Sequence, residues 1–125
     1  MADNRAGGWR RLKQQRAAGD PRVEAYLAAL PADTQPTARR VWQTMRDAVP
    51  GSGETIAYQM PTVTLDGVRL VHLGAWKQHL GVYPVPDLPE LAPYLAGRGT
   101  ARFGYDDPPL DLVTRLTRAL AARRD

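Results

Sequence analysis

MPTVTLDGVRLVHLG, residues 60–74, holds the two residues that decide the fold. Asp66 and Gly67 stand between two runs of β-branched and apolar side chains. A two-residue type I′ turn needs φ > 0 at both central positions, which aspartate tolerates and glycine favours, so the segment is read as a β-hairpin. Closure there pairs Leu65 with Val68, Thr64 with Arg69, Val63 with Leu70, Thr62 with Val71 and Pro61 with His72. Directly opposed residues share a face. This register predicts a buried side of Val63, Leu65, Val68 and Leu70, with His72 on it.

Further along, AWKQHLGVYP (75–84) turns near Trp76-Lys77-Gln78 and returns as a strand from about His79 to Tyr83. With Leu80 and Val82 inward, His79 points outward beside Gly81 and Tyr83. The two imidazoles then lie on opposite faces and cannot share a metal ion, so His72 is read as a hydrogen-bonded core histidine. PDLPELAPYLAG (86–97) predicts a short helix through Leu88, Leu91, Ala92 and Leu95, weakened by Pro93. One more strand is expected around Thr100 to Tyr105. Asp107-Pro108-Pro109 opens a last helix whose apolar stripe is Leu112, Val113, Leu116, Ala119 and Leu120.

On the N-terminal side the period changes from two to 3.6. Asp20-Pro21 is a helix start, with a capping acceptor before a proline in the first helical position. Val23, Tyr26, Leu27 and Leu30 follow at helical spacing until Pro31. The second start has Thr34 as cap and Pro36 in the first turn. Ala38, Val41, Trp42, Met45, Ala48 and Val49 form its stripe, Arg39, Arg40, Gln43, Arg46 and Asp47 lie opposite, and Pro50 with Gly51 and Gly53 ends it. Helices, strands, helix, strand, helix is an α+β order: one domain with an antiparallel sheet of hairpins packed with helices.

The length of 125 residues suits one core. Arg5, Arg10, Arg11, Lys13, Arg16 and Arg22 outweigh Asp3 and Asp20, so the net charge of +4 resides in the first 22 residues and the rest is balanced. Residues 1–20 are accordingly read as a flexible basic arm and 21–125 as the domain. A body without a basic stripe argues against specific nucleic-acid binding. No apolar run reaches the ~20 residues that span a bilayer, and no secretory signal is visible. The absence of cysteine excludes disulfides, thiolate metal sites and a cysteine nucleophile. A cytoplasmic location is expected.

Little in the chain suits catalysis. The one serine, Ser52, sits in a PGSGE loop and not in a strand–turn–helix elbow. The same glycines lack the pattern of a phosphate loop. Lys77 is read as an ordinary exposed lysine. Asp106, Asp107 and Asp111 are oxygen ligands that would suit a hard cation, iron included. Against that, Asp107 before Pro108 reads as an N-cap, and Asp111 answers the helix dipole.

Four segments together carry a resemblance: VEAYLAALP (23–31), ETIAYQMPTV (54–63), AWKQHLGVYP (75–84) and GRGTARFGYDDPPLDLVTRL (97–116). From about Val23 to Leu120 the chain resembles the YdhG-like domain family, a bacterial family of mostly unknown function with some members described as frataxin-like intracellular iron chaperones. Gln59 stands where that family has a glycine between Tyr58 and Met60, and Arg98 where it usually has lysine. The resemblance groups Tyr58, Met60, Trp76, Lys77, His79, Tyr83 and Arg102 as candidates for one groove. It implies iron as the bound ion and iron handling as the function. The alternative is a non-enzymatic module, monomeric or homodimeric, that takes a ligand or a protein partner on the Trp76–Tyr83 surface.

Overall fold

The computed structural model describes residues 19–123. Most of the expected basic arm therefore lies outside the described residues. Helix α1 spans Pro21–Ala28 and begins as expected, with Asp20 Oδ1 accepting from the Arg22 amide at 2.9 Å. Val23 and Leu27 are its buried face. Helix α2, Gln35–Ala48, buries Ala38, Val41, Trp42, Met45 and Ala48. It starts where expected, with Thr34 at the N-cap and Pro36 in the first turn, but Thr34 already has helical angles (φ −100°, ψ −22°) and makes no side-chain cap. Its hydroxyl donates instead to the Pro31 carbonyl at 3.2 Å, closing the turn between the helices.

Five strands follow: β1 Gly53–Ala57, β2 Met60–Leu65, β3 Val68–Ala75, β4 Leu80–Tyr83 and β5 Ala101–Phe103. Each pairs antiparallel with the next in chain order, giving a meander. Between β4 and β5 the expected short helix is a 3-10 turn, Pro89–Tyr94, consistent with Pro93 removing a backbone donor. Helix α3, Leu110–Arg123, closes the chain and buries Leu112, Val113, Leu116, Thr117 and Leu120. Asp107 is not its N-cap. Asp107 has φ +49° and lies before the first helical carbonyl, Pro109 O, which accepts from Val113 N.

The hairpin turns at Asp66-Gly67 as expected, with φ of 52° and 78°. Leu65 pairs with Val68 and Thr64 with Arg69. The ladder then slips by one: Val63 faces Val71 and Thr62 faces His72. Leu70 is the extra residue of a β-bulge, which lets Leu70 and Val71 both enter the core. Because side chains alternate with a period of two, this single slip reverses the face assigned to everything beyond it. His72 leaves the buried side; Val68, which precedes the bulge and keeps its expected partner Leu65, is exposed (42 %) beside the turn.

One face of the sheet meets the helices. Val63, Val71, Leu73, Leu80, Val82, Ala101 and Phe103 are fully buried there, in one cluster with residues of α1, α2 and α3. Together these elements form a single α+β domain. Among the described residues, no helix covers the opposite face.

Candidate binding face

The outward face is built by alternation. Leu73 and Leu80 point into the core, so Gly74 and Gly81, paired across β3 and β4, point out with Arg102 of β5 next to them. No side chain rises from either glycine. Trp76 uses the space: a methyl group on Gly74 would lie 2.8–2.9 Å from three consecutive atoms of the indole, so the ring rests nearly flat on the backbone. Trp76 Nε1 donates to Tyr83 Oη at 2.6 Å. That oxygen lies over Gly81, where a Cβ would collide with it. The indole is thus pinned from below and at its edge and remains 47 % exposed.

The next outward row is Thr55, Thr62, His72 and Tyr83, each paired with its neighbour. Thr62 Oγ1 donates to Met60 O at 3.0 Å and lies 2.6 Å from His72 Nδ1. A hydroxyl has one proton to give, so we assign the His72 proton to Nδ1, leaving Nε2 as an acceptor. Burial, then the charge of Arg69, holds the His72 pKa below its ordinary value. Tyr58 caps the row. Its ring meets His72 edge-on at 5.3 Å, and the Arg69 guanidinium sits 5.9 Å from its centroid. Tyr58 and Gln59 form a two-residue turn with φ of 54° and 64°, a conformation that costs L-residues energy.

Of the grouped residues, Trp76, Tyr83 and Arg102 therefore meet around the glycine pair, and Tyr58 joins them through His72. His79 also faces outward: its carbonyl accepts from Trp76 N, and its pKa is lowered by desolvation and by Arg102. The histidines thus share a face, contrary to expectation. They still cannot share an ion, since four residues along a hairpin separate them by about 13 Å. Met60 is half-buried beside Thr62. Lys77 lines a cleft of about 390 Å³ at the β3–β4 turn together with Trp76, Leu30, Asp33 and Tyr105. There Tyr105 Oη donates to Trp76 O at 2.6 Å, and burial raises the phenol pKa.

The carboxylates are dispersed. Asp107 and Asp111 line an open depression with Glu90, but Arg40 and Arg115 line it too, and Glu90 is bonded to Arg115 at 2.8 Å. Among the described residues no three His, Asp or Glu side chains are grouped to hold a metal ion. Glu54 is a structural hub: it accepts from Trp42 Nε1 (3.3 Å) and the Asp20 amide (2.8 Å) and pairs with Arg46. Arg46 is consequently half-buried and not solvated. Ser52 is buried, with its Oγ 3.0 Å from Arg46 Nε.

Sequence reasoning placed His72 on the wrong face and, although its register set Arg69 opposite Thr64 as observed, did not group Arg69 with the candidate residues. One signal was present. His72-Leu73-Gly74-Ala75-Trp76 is followed by His79-Leu80-Gly81-Val82-Tyr83, two copies of the same pattern that the hairpin lays antiparallel, so that each histidine opposes the aromatic residue of the other copy. Among the described residues no helix is long and apolar enough to cross a membrane. No protein-family model matches the chain, and comparison with curated proteins and with solved structures gives no significant match.

Proposed function

We propose that this chain is a non-enzymatic binding module that takes its ligand on the outward face of the sheet. The observation that carries the proposal is the pinned, exposed Trp76 above a glycine pair, continuous with Tyr83, His72 and Tyr58. Exposed aromatic rings held rigidly lose little entropy on binding and dominate interface energies. Tyr58 adds a second argument, because an aromatic residue kept 74 % exposed in a left-handed turn serves neither the core nor the turn. Ser52 has no role as a nucleophile in this reading.

The test is tryptophan emission. Titration with a nucleotide, a glutamate-rich peptide and Fe(II) is expected to shift or quench Trp76 for the ligand class that binds, with the response absent in Trp76→Phe. No response to any of them would count against the face.

Iron handling, which the YdhG-like resemblance implies, is the second reading. Its one structural support is that Asp107 and Asp111 line the same depression, which Arg40 and the Glu90–Arg115 pair share. Anaerobic calorimetry with Fe(II), against Zn(II) and Mg(II), should then give saturable binding that Asp107→Asn with Asp111→Asn removes. Silence, or binding indifferent to those changes, would sink it.

A further inference from the structure

Resting on the binding-face reading, we propose that the outward aromatic row stacks the bases of a short single-stranded nucleic acid while Arg69 and Arg102 hold its phosphates. The chemistry of the face selects this ligand. Bases need flat, immobile, solvent-facing rings, and base–aromatic stacking on open sheets is a recurrent mode of single-strand recognition. Trp76 is immobilised by Gly74 beneath it and by its bond to Tyr83. Tyr83 is paired with His72 across β3 and β4, and the His72 ring meets Tyr58 edge-on, so aromatic side chains from adjoining segments of the meander share one face. A single planar anion would need one ring and one cation. Here a cation stands at each end: Arg69 at Tyr58, and Arg102 beside Gly81.

Sorting charge by face removes the objection that the folded body is neutral. Among the described residues the outward positions of the paired strands are threonine, glycine, histidine, tyrosine and arginine with Ala57 and Met60, and no carboxylate. Of the acids in the body, Glu24, Asp47, Glu90 and Asp111 belong to the helices, Glu54 stands on the helix side of β1 bonded to Arg46, and Asp33, Asp66, Asp87, Asp106 and Asp107 lie in turns and loops. Base edges would find the Nε2 acceptor of His72 and the hydroxyl proton of Tyr83, whose oxygen is already taken by Trp76. An acidic peptide would use the arginines but leave the stacked rings without partners. A duplex hides its base faces from them.

The experiment is fluorescence anisotropy of the full chain with labelled single strands of uridine and of thymidine roughly ten nucleotides long, a duplex of equal length and a glutamate-rich peptide. Single strands should bind at least about tenfold more tightly than duplex, and Trp76→Ala should weaken them by about tenfold. Arg102→Ala should lower the slope of log affinity against log salt by about 0.7. Both variants are checked for an unchanged unfolding midpoint. Equal binding of duplex and single strand, indifferent to Trp76→Ala, would be the charge of the basic N-terminal residues alone and would overturn the proposal. Binding of the peptide alone, weakened by Arg102→Ala, would overturn it while leaving the binding face standing. Silence from every probe, with unresponsive Trp76 emission, would overturn both.

Discussion

His72 shows how much rests on single side chains. Thr62, fully buried, accepts the Nδ1 proton, while partial burial and Arg69 disfavour a second proton on the ring. A histidine whose folded pKa lies below its unfolded value binds fewer protons folded than unfolded, so stability rises with pH through that window and is lost below about pH 6.5. His79 is depressed too and has the same sign. We expect the urea midpoint to fall between pH 7 and pH 5, and the fall to shrink in His72→Gln; a midpoint that rises on acidification would contradict the assignment. Gly74 and Gly81 are the other decisive residues. Gly81→Ala should displace the Tyr83 hydroxyl and release Trp76, seen as a red-shifted emission and easier quenching by acrylamide, and an unaltered spectrum would show that the indole is not pinned there. Neither glycine announces this role in the sequence, because a glycine in a strand is equally compatible with a bulge.

At the scale of elements, hairpin chemistry was legible and register was not. Asp66-Gly67 fixes the turn whatever the strands do. Leu70 and Val71, in contrast, are consecutive apolar residues, and either can continue the alternation from Val68; only packing in the core decides that both go inward. The β1–β2 turn was hidden for a different reason, since Tyr58-Gln59 lacks the glycine or asparagine that marks a type I′ turn. That choice has a measurable cost. Gln59→Gly should stabilise the protein by about 1 kcal/mol in equilibrium unfolding, the penalty of a left-handed conformation for an L-residue. A loss of stability would mean that the glutamine makes compensating contacts. The helices were the easiest elements to read, because their apolar stripes recur without a bulge to shift them. Their caps were less so: Thr34 occupies the N-cap without a side-chain bond to the helix, and Asp107, at φ +49°, lies outside the helix start.

For the molecule as a whole, stability and recognition fall on opposite faces of one sheet in the proposed reading. The helix-covered face carries the core, so Leu116→Ala should cost about 2–5 kcal/mol of stability and leave the chemistry of the outward face intact. Trp76→Ala should do the reverse, with little change in unfolding midpoint and a loss of binding. Parity of the two variants in both assays would show that the faces are not separable. The α+β class was readable from composition and period alone, whereas the makeup of the outward face was not, because it depends on one bulged residue and on two glycines that act through the rings above them. The most direct measurement is amide chemical-shift mapping of the ¹⁵N-labelled full chain titrated with a single-stranded oligonucleotide and, separately, with Fe(II). Shifts clustered on Thr62, His72, Gly74, Gly81 and Arg102 are the expected result. Shifts confined to the Glu90, Asp107 and Asp111 depression, or scattered without relation to the sheet, would contradict a binding module built on its outward face.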